Sequence, residues 1–323
     1  MSIEKLIIGF DIGGTKCAAV LAKVTDEKVV FLEREQFKTE GGWQSVADRL
    51  CGLAELQLKK NSLKLSDIYA CGVSCGGPLD SKKGLILSPP NLLGWDNVDI
   101  CAYVQSKLGC KTFLKNDADA CAVAEWKYGA GRGFENVIFL TFGTGHGAGL
   151  ILNGRLYSGT NTMAGEIGHV RLEKEGPVGY GKRGSFEGFC SGGGIMQLAD
   201  TYFSELLQQG IKTDYYQGLN SVSAKLLGEK ARLGDIHAVN IYNQVGEYFG
   251  RGLAVLIDIL NPEIIIAGGI FMRDHELITP KMNEALKREC LPLSLAKVKV
   301  VPSVLKEQIG DYGAVVAALP QNE

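Results

Sequence analysis

Four glycines at alternate positions, with two threonines beside them, form the part of the sequence best suited to bind phosphate. They follow the apolar run at 137–140, and they are Gly143, Gly145, Gly147 and Gly149, accompanied by Thr141 and Thr144. Because glycine has no Cβ, another backbone or a phosphate can approach closely, and the hydroxyl groups add hydrogen-bond donors. The pattern favours a phosphate-binding turn, although a glycine-rich hairpin that binds no ligand has the same pattern.

Two polar residues at the end of the same segment are suited to a different ligand. Glu166 and His169 are three positions apart. A carboxylate and an imidazole both hydrogen-bond to hydroxyl groups. We therefore expect a phosphate cradle at one end of the segment and a site for a hydroxylated substrate at the other.

The strand and glycine turn that open this segment have a counterpart near the start of the chain. GFDIGGTKCAAVLA begins at Gly9 and FLTFGTGHGAGLIL begins at Phe139. Each is an apolar strand, a turn of glycine and threonine, and a second strand of small residues. Two such hairpins facing each other across a cleft would hold a polyphosphate from both sides through backbone N–H groups.

The composition indicates a soluble globular protein of about two domains. The chain has 323 residues, of which 46% are hydrophobic and 22% charged, with a net charge of -2. This charge gives no general attraction to nucleic acid or to an anionic membrane. The apolar run at the start is too short for a signal peptide or a membrane span, and the nine cysteines include no CxxC pair, so we expect a cytoplasmic protein with reduced thiols.

Strands and helices that would position these residues alternate along the chain. The patterns predict strands at 6–10, 17–22, 28–37, 68–73, 112–114, 137–140, 263–267 and 298–301, with loops at 74–78 and 88–92. They predict helices at 43–60, 100–108, 118–128, 195–208, 221–232, 236–260 with Asp235 as its N-cap, 280–289 and 310–319.

Four motifs together resemble the ROK family, which is named for its repressors, open reading frames and kinases. They are DIGGTK, NDADACAVAEWKYGAGRG, the segment from GTGHGAG to AGEIGH, and IIIAGGI. The resemblance implies an α/β protein of the actin, Hsp70 and hexokinase type, in which two ribonuclease H-like domains close on an interdomain cleft. It places the small domain at 1–118 with the C-terminal helix at about 308–323, and the large domain at 119–307.

The resemblance assigns the catalytic role to Asp117, because many members of the family are similar to ATP-dependent hexose kinases. In-line phosphoryl transfer needs a carboxylate that orients the sugar hydroxyl, commonly the one on C6, and accepts its proton. Asp117 stands beside Asn116 at the end of a predicted strand. The alternative for Asp117 is a structural carboxylate that N-caps the following helix.

The other ligand-binding residues follow from the same motifs. The resemblance implies that the sugar is bound by Gly77, Asn91, Asn116, Glu166, His169 and Glu187. Glucose, mannose, allose, fructose, N-acetylated hexosamines and glycosides are all compatible with these residues, because epimers differ only in the direction of one hydroxyl.

The nucleotide residues belong to three motifs. The resemblance implies that Asp11 holds Mg²⁺ through water and that ATP is bound by Gly13, Gly14, Thr15, Lys16, Thr144, Gly145, Gly268 and Gly269. Magnesium neutralises the charge of the terminal phosphates. The alternatives are a solvated surface lysine for Lys16 and a plain turn between strand and helix for Gly268 and Gly269.

The zinc motif of the family, CxCGxxGCxE, is the main departure. Its three cysteines are replaced here by Val178, Tyr180 and Ser185, whereas Glu187 remains. A lone histidine cannot supply the four ligands of structural zinc, so we expect no zinc site. We expect Tyr180 and Phe186 to pack the loop instead. A second departure, His146 in the glycine-rich turn, has two alternatives: it contacts a nucleotide phosphate or lies on the surface.

The leading hypothesis is therefore an ATP-dependent hexose kinase whose partners are a sugar and ATP, with no nucleic acid and no membrane. A repressor of the family carries an added N-terminal helix-turn-helix domain, which we do not expect because Asp11 comes so early. A catalytically silent sugar-binding or regulatory protein is the alternative that the lost zinc motif suggests. The resemblance is compatible with a homodimer or a homotetramer.

Overall fold

The protein is an α/β structure with two five-stranded sheets, and its computed structural model describes residues 4–319. The strands are β1 (Lys5–Ile12), β2 (Lys16–Val24), β3 (Val29–Lys38), β4 (Ile68–Cys75), β5 (Leu79–Asp80), β6 (Leu85–Ile86), β7 (Val98–Asp99), β8 (Thr112–Asn116), β9 (Val137–Leu140), β10 (Ala148–Leu152), β11 (Arg155–Leu156), β12 (Val178–Gly179), β13 (Lys182–Arg183), β14 (Ile264–Ala267) and β15 (Lys299–Pro302). The helices are α1 (Trp43–Lys60), α2 (Ile100–Leu108), α3 (Asp117–Tyr128), α4 (Phe186–Phe189), α5 (Gly192–Gln208), α6 (Ala224–Arg232), α7 (Ile236–Leu260), α8 (Gly269–Glu289), α9 (Pro292–Leu295) and α10 (Ile309–Ala317).

The two large sheets have the same strand arrangement. If the five strands of each sheet are numbered in chain order, they lie side by side as third, second, first, fourth and fifth. In the first sheet the order is β3-β2-β1-β4-β8, and in the second it is β11-β10-β9-β14-β15. In the first sheet β1 pairs with β2 antiparallel and with β4 parallel. The two similar sequence segments therefore occupy equivalent places, because β1 and β2 are the first two strands of one sheet in chain order, and β9 and β10 are the first two strands of the other.

The first sheet is covered by helices on both faces, as an α/β fold requires. On one face, buried side chains of the sheet such as Phe10 pack with Leu50 of α1 and Val104 of α2. On the other face, Ile7 and Ala70 pack with Val315 of α10. These helices fix the ends of β1, β4 and β8, where several of the predicted site residues lie.

Some boundaries differ from the sequence prediction. The loop predicted from residue 74 is wrong at its start, because β4 continues to pair with β1 through Ser74 and Cys75. Helix α8 begins at Gly269, whereas the prediction began at Pro280, which lies inside the helix. Proline is common at the first helical position, so the pattern mistook an interior proline for a helix start. The predicted bounds of α1 and α2 are confirmed.

The chain forms two compact units. Of the described residues, the first unit contains 4–139, Gly149–Ala164 and 304–319, and the second contains Leu140–Ala148 and Gly165–Ser303. The domain limits expected at 118 and 307 stay a prediction. Part of the expected C-terminal helix, residues 320–323, lies outside the described residues. Between residues 4 and 319, no helix has the length and apolar character needed to cross a bilayer.

Candidate active site

Asn116 and Asp117 mark the junction between β8 and α3 in the first unit. The N-cap is Asn116, whose Oδ1 accepts hydrogen bonds from the N–H groups of Ala118 at 2.9 Å and Asp119 at 3.4 Å. Asp117 is the first helical residue, and its Oδ1 accepts from the N–H of Ala118 at 2.8 Å. Burial raises the pKa of Asp117, while backbone hydrogen bonds oppose the rise. The capping role is thus filled mainly by Asn116.

The second oxygen of Asp117 points toward the loop that follows β4. A Cβ placed on Gly76 would lie 3.8 Å from Oδ2 of Asp117, and one on Gly77 would lie 3.2 Å from Nδ2 of Asn116. The structure therefore brings Gly77, Asn116 and Asp117 together, with Oδ2 of Asp117 facing the loop after β4.

Asp11, at the end of β1, lies in a group of carboxylates. Burial, followed by the charges of Asp117 and Asp311, raises its pKa to about 7, and the cations Lys16 and Arg34 oppose the rise. Asp311 is buried and accepts a hydrogen bond from Nε of Arg34 at 2.7 Å. A cation near Asp11 would relieve this repulsion, although the three carboxylates are not arranged as a set of direct metal ligands.

The turn between β1 and β2 contains the other predicted phosphate residues of the first unit. The N–H of Gly13 donates to the carbonyl of Lys16 at 3.1 Å, which closes the turn. Thr39, at the end of β3, ties the turn from outside, because its Oγ1 donates to the carbonyl of Gly13 at 2.6 Å and its N–H donates to that of Thr15 at 3.0 Å. Gly14, Thr15 and Lys16 are exposed.

Asn91 contacts the same turn. A Cβ on Gly14 would lie only 2.4 Å from the carbonyl oxygen of Asn91, so the loop of Asn91 packs directly on the turn. The Asn91 side chain is exposed. The structure thus places a predicted sugar residue next to a predicted phosphate residue, which is the proximity that phosphoryl transfer needs.

In the second unit, the glycine-rich turn is bonded to Glu187. The N–H of Gly147 donates to Oγ1 of Thr141 at 2.8 Å, and the N–H of Gly143 donates to the carbonyl of Gly145 at 3.1 Å. Oε2 of Glu187 accepts a hydrogen bond from the backbone N–H of His146 at 3.0 Å. Thr144 is exposed at the tip of the turn. Predicted phosphate and sugar residues therefore meet in this unit as well.

Gly268 and Gly269 lie against the first strand of that turn. The N–H of Gly268 donates to the carbonyl of Leu140 at 2.9 Å. Gly269 has a φ of +58°, and a Cβ there would lie 2.1 Å from the carbonyl oxygen of Phe142. Only glycine fits this position, so the start of α8 and the glycine-rich turn form one backbone surface.

Glu166 and His169 lie at the two ends of a short helical turn over Ile167–His169, and both are exposed. The Lys182 ammonium donates to the carbonyl of His169 at 2.6 Å. Gly168 packs on the glycine-rich turn, since a Cβ there would lie 2.1 Å from the carbonyl oxygen of His146.

The loop that replaces the zinc motif does not offer a zinc donor set. Ser185 is buried and caps α4, where its Oγ accepts from the N–H of Gly188 at 3.1 Å. Among residues 4–319, no group of three or more His, Cys, Asp or Glu side chains is arranged to hold a metal. Phe186 is 1% exposed and packs the loop as expected, whereas Tyr180 is 65% exposed, so that expectation is wrong for Tyr180.

His146 is buried, so the surface alternative for it is wrong. Its exposed fraction is 4%, and its ring lies 4.4 Å from that of Phe186 and 5.3 Å from that of Phe142. Burial lowers its pKa to about 3, so the imidazole is neutral at pH 7. The Thr141 backbone opposes this lowering of the pKa, but neither ring nitrogen makes a well-formed hydrogen bond with the described residues. The ring belongs to the aromatic core beneath the turn.

Three residues near the site were not found from the sequence: Thr39, Arg34 and Asp311. Thr39 gave no signal, because a threonine after a strand is common. Asp311 stands one residue into a predicted helix that is otherwise apolar, and this isolated acid could have marked it as a candidate.

The ROK family sequence pattern matches residues 7–321. The chain belongs to the ROK family. The glucokinase of Thermotoga maritima is 31% identical to this ROK protein in an alignment of 320 positions that covers 95% of each chain. A crystal structure of a ROK family glucokinase from Streptomyces griseus, in complex with glucose and AMPPNP, has a TM-score of 0.78 at 27% identity and covers 97% of this chain and 99% of that one.

Repressors of the ROK family are also similar. The xylose repressor of Caldicellulosiruptor bescii is 27% identical over 316 residues, which are 97% of this chain and 78% of that one. The predicted α/β fold of the actin and hexokinase type is confirmed by these matches. Membership of the ROK family by itself covers both kinases and repressors.

Proposed function

We propose that this ROK protein is an ATP-dependent kinase that transfers the γ-phosphate to a hydroxyl, on C6, of a hexose or hexose derivative, with Asp117 as the general base. The observation that carries the proposal is the Asp117 carboxylate. One of its oxygens is fixed by the N–H of Ala118 at 2.8 Å, and the other faces Gly76. The similarity to glucokinases supports the same reaction.

The chemistry assigned to Asp117 is a single proton transfer coupled to phosphoryl transfer. The sugar hydroxyl gives its proton to Oδ2 of Asp117 as its oxygen bonds to the γ-phosphorus. The bond from that phosphorus to the bridging oxygen breaks, and ADP leaves. The raised pKa of the buried carboxylate makes it a better proton acceptor.

The nucleotide is assigned to three of the motifs. The backbone of Gly13, Gly14 and Thr15, with Lys16, would bind phosphate oxygens, as would Thr144 and Gly145, and Gly268 and Gly269 would accommodate the adenosine. Asp11 would hold Mg²⁺ through water, and the repulsion among its neighbouring carboxylates fits a cation there. The magnesium ion supplies charge neutralisation on the phosphates.

The sugar is assigned to Gly77, Asn91, Asn116, Glu166, His169 and Glu187. Carboxylates accept from sugar hydroxyls, and the amides and the imidazole both donate and accept. Gly77, beside Asn116, would let the loop after β4 approach the sugar ring closely.

A catalytically silent sugar-binding or regulatory protein is the second candidate. The match to a xylose repressor over nearly all of this chain favours it. In that case sugar would bind without transfer of phosphate.

A screen that measures both binding and turnover tests the proposal. ADP release with Mg·ATP is followed over hexoses, N-acetylhexosamines and β-glucosides, and sugar binding is measured separately by calorimetry. We expect at least one sugar to stimulate ADP release with one phosphorylated sugar formed per ADP. Binding of a sugar without any stimulation would favour the silent protein instead.

A further inference from the structure

The side chain of Gln197, in α5, binds both main-chain groups of one residue in the loop before α4. The N–H of Val178 donates to Oε1 of Gln197 at 2.8 Å, and Nε2 of Gln197 donates to the carbonyl of Val178 at 2.9 Å. The carboxamide thus hydrogen-bonds to both the N–H and the carbonyl of one residue, as the backbone of a neighbouring strand does. The two bonds together tie β12 to α5.

Strand β12 in turn lies directly on the turn that carries Glu187. A Cβ on Gly179 would lie 2.5 Å from the N of Gly188 and 2.8 Å from the Cβ of Glu187. A Cβ on Gly188 would lie 2.3 Å from the carbonyl oxygen of Pro177. Because backbone meets backbone with no flexible side chain between, a shift of β12 is passed on to Glu187.

Glu187 is held on its other side by the glycine-rich turn. Its Oε2 accepts from the N–H of His146 at 3.0 Å. The Ser185 hydroxyl accepts from the N–H of Gly188 at 3.1 Å and lies 3.4 Å from the carbonyl of Gly179. Contacts from β12, Ser185 and His146 therefore set the direction of the Glu187 carboxylate.

We propose that Gln197 is a positioning residue for the sugar site, which acts by holding β12 against α4 and thereby orients Glu187. This inference rests on the proposed function, because it takes Glu187 to be a sugar ligand. Gln197 acts through Glu187 and not by contact with the sugar.

Kinetics of Gln197→Ala test the role in the sugar site. We expect the KM for the sugar to rise about tenfold, which corresponds to about 1.4 kcal/mol, while the KM for ATP changes less than about twofold. Gln244→Ala is the matched control, since Gln244 of α7 lines the same surface groove as Gln197, and its sugar KM should equal that of the wild type. Equal increases in both KM values would overturn the proposal.

A double-mutant cycle tests whether Gln197 acts through Glu187. In the Glu187→Gln background, Gln197→Ala is expected to weaken sugar binding, measured by calorimetry, by less than about twofold. Additive losses would overturn the proposal. If Gln197→Ala does not fold, Gln197→Glu serves in its place, because it keeps the volume and the bond from Val178 but cannot donate to the Val178 carbonyl. Its sugar affinity should fall as well, and an unchanged affinity would overturn the proposal.

Hydrogen exchange of the ligand-free protein separates this inference from the proposed function. Peptides that cover 177–188 should exchange faster in Gln197→Ala than in the wild type or in Gln244→Ala. Unchanged exchange would overturn the Gln197 interaction whatever the protein does. Faster exchange in a protein that binds no sugar in the screen would overturn the proposed function, and with it the role of Gln197 in a sugar site.

Discussion

Gly310 and Asp11 are in direct contact, because a Cβ placed on Gly310 would lie 2.6 Å from Oδ2 of Asp11. The first turn of α10 therefore leaves room for this carboxylate only because residue 310 has no side chain. The next residue, Asp311, is bound by Arg34 of β3 at 2.7 Å, which holds the start of α10 in place. The start of α10, at Gly310 and Asp311, thus determines the direction of the Asp11 carboxylate, which is proposed to bind magnesium.

Gly310→Ala should impair catalysis by displacing Asp11. A misplacement of about 1 Å at a reacting centre can cost about 10²-fold in rate, so we expect kcat to fall by that order and sugar affinity to stay close to wild type. The measurements are steady-state kinetics and calorimetry.

Gly52→Ala is the control, because a Cβ at this helical position meets nothing within 4 Å. It should retain full activity and gain about 0.5–1 kcal/mol of stability. Full activity of Gly310→Ala would refute the account of Asp11.

His146→Phe should change how stability depends on pH. The folded-state pKa of His146 is lowered from 6.5 to about 3, so between these values the unfolded chain binds a proton that the folded chain does not. The wild type therefore loses stability as the pH falls through this window, by up to about 1.4 kcal/mol per pH unit. Phenylalanine binds no proton, so His146→Phe should not lose stability through this cause.

Urea unfolding of both proteins from pH 7.5 to 4.5 provides the measurement. The stability of His146→Phe relative to the wild type should increase steadily below pH 6.5. The same difference at every pH would show that His146 is not buried in its neutral form.

Local patterns predicted much of the fold. Helix α1 has its predicted bounds because Val46, Leu50 and Ala54 recur at helical spacing and become part of its buried face. Errors arose where pairing between distant segments decides the structure. Ser74 and Cys75 have the composition of a loop, but their partners in β1, which are more than sixty positions away, keep them in the strand.

The candidate site shows the same limit. Asn116 and Asp117 are adjacent in sequence, so their place at the start of a helix could be predicted from the pattern around them. The ion pair of Arg34 and Asp311 joins residues 277 positions apart, and no local pattern indicates it. The raised pKa of Asp11 depends on burial and on the charges of Asp117 and Asp311, and it is likewise a property of the folded chain. His146 gave a polar signal in the sequence, yet the structure places it in an aromatic core.

Metal content tests the account of the loop before α4. The family cysteines are replaced by Val178, Tyr180 and Ser185, and structural zinc requires about four ligands. We therefore expect substoichiometric zinc in protein purified without chelator. Incubation with EDTA should leave the thermal midpoint unchanged, because Gln197 and Ser185 stabilise the loop. One zinc ion per chain, or a large loss of stability with EDTA, would contradict this account.

The most direct test of the central claim is the rate of sugar phosphorylation by Asp117→Asn. Asparagine keeps the shape of the side chain and its bond from the Ala118 N–H, but it cannot accept the hydroxyl proton. General base catalysis contributes about 10²–10⁴-fold, so kcat should fall by that factor while calorimetric sugar affinity stays within about threefold. Sugar-dependent ADP release at the wild-type rate in Asp117→Asn would contradict the proposed mechanism.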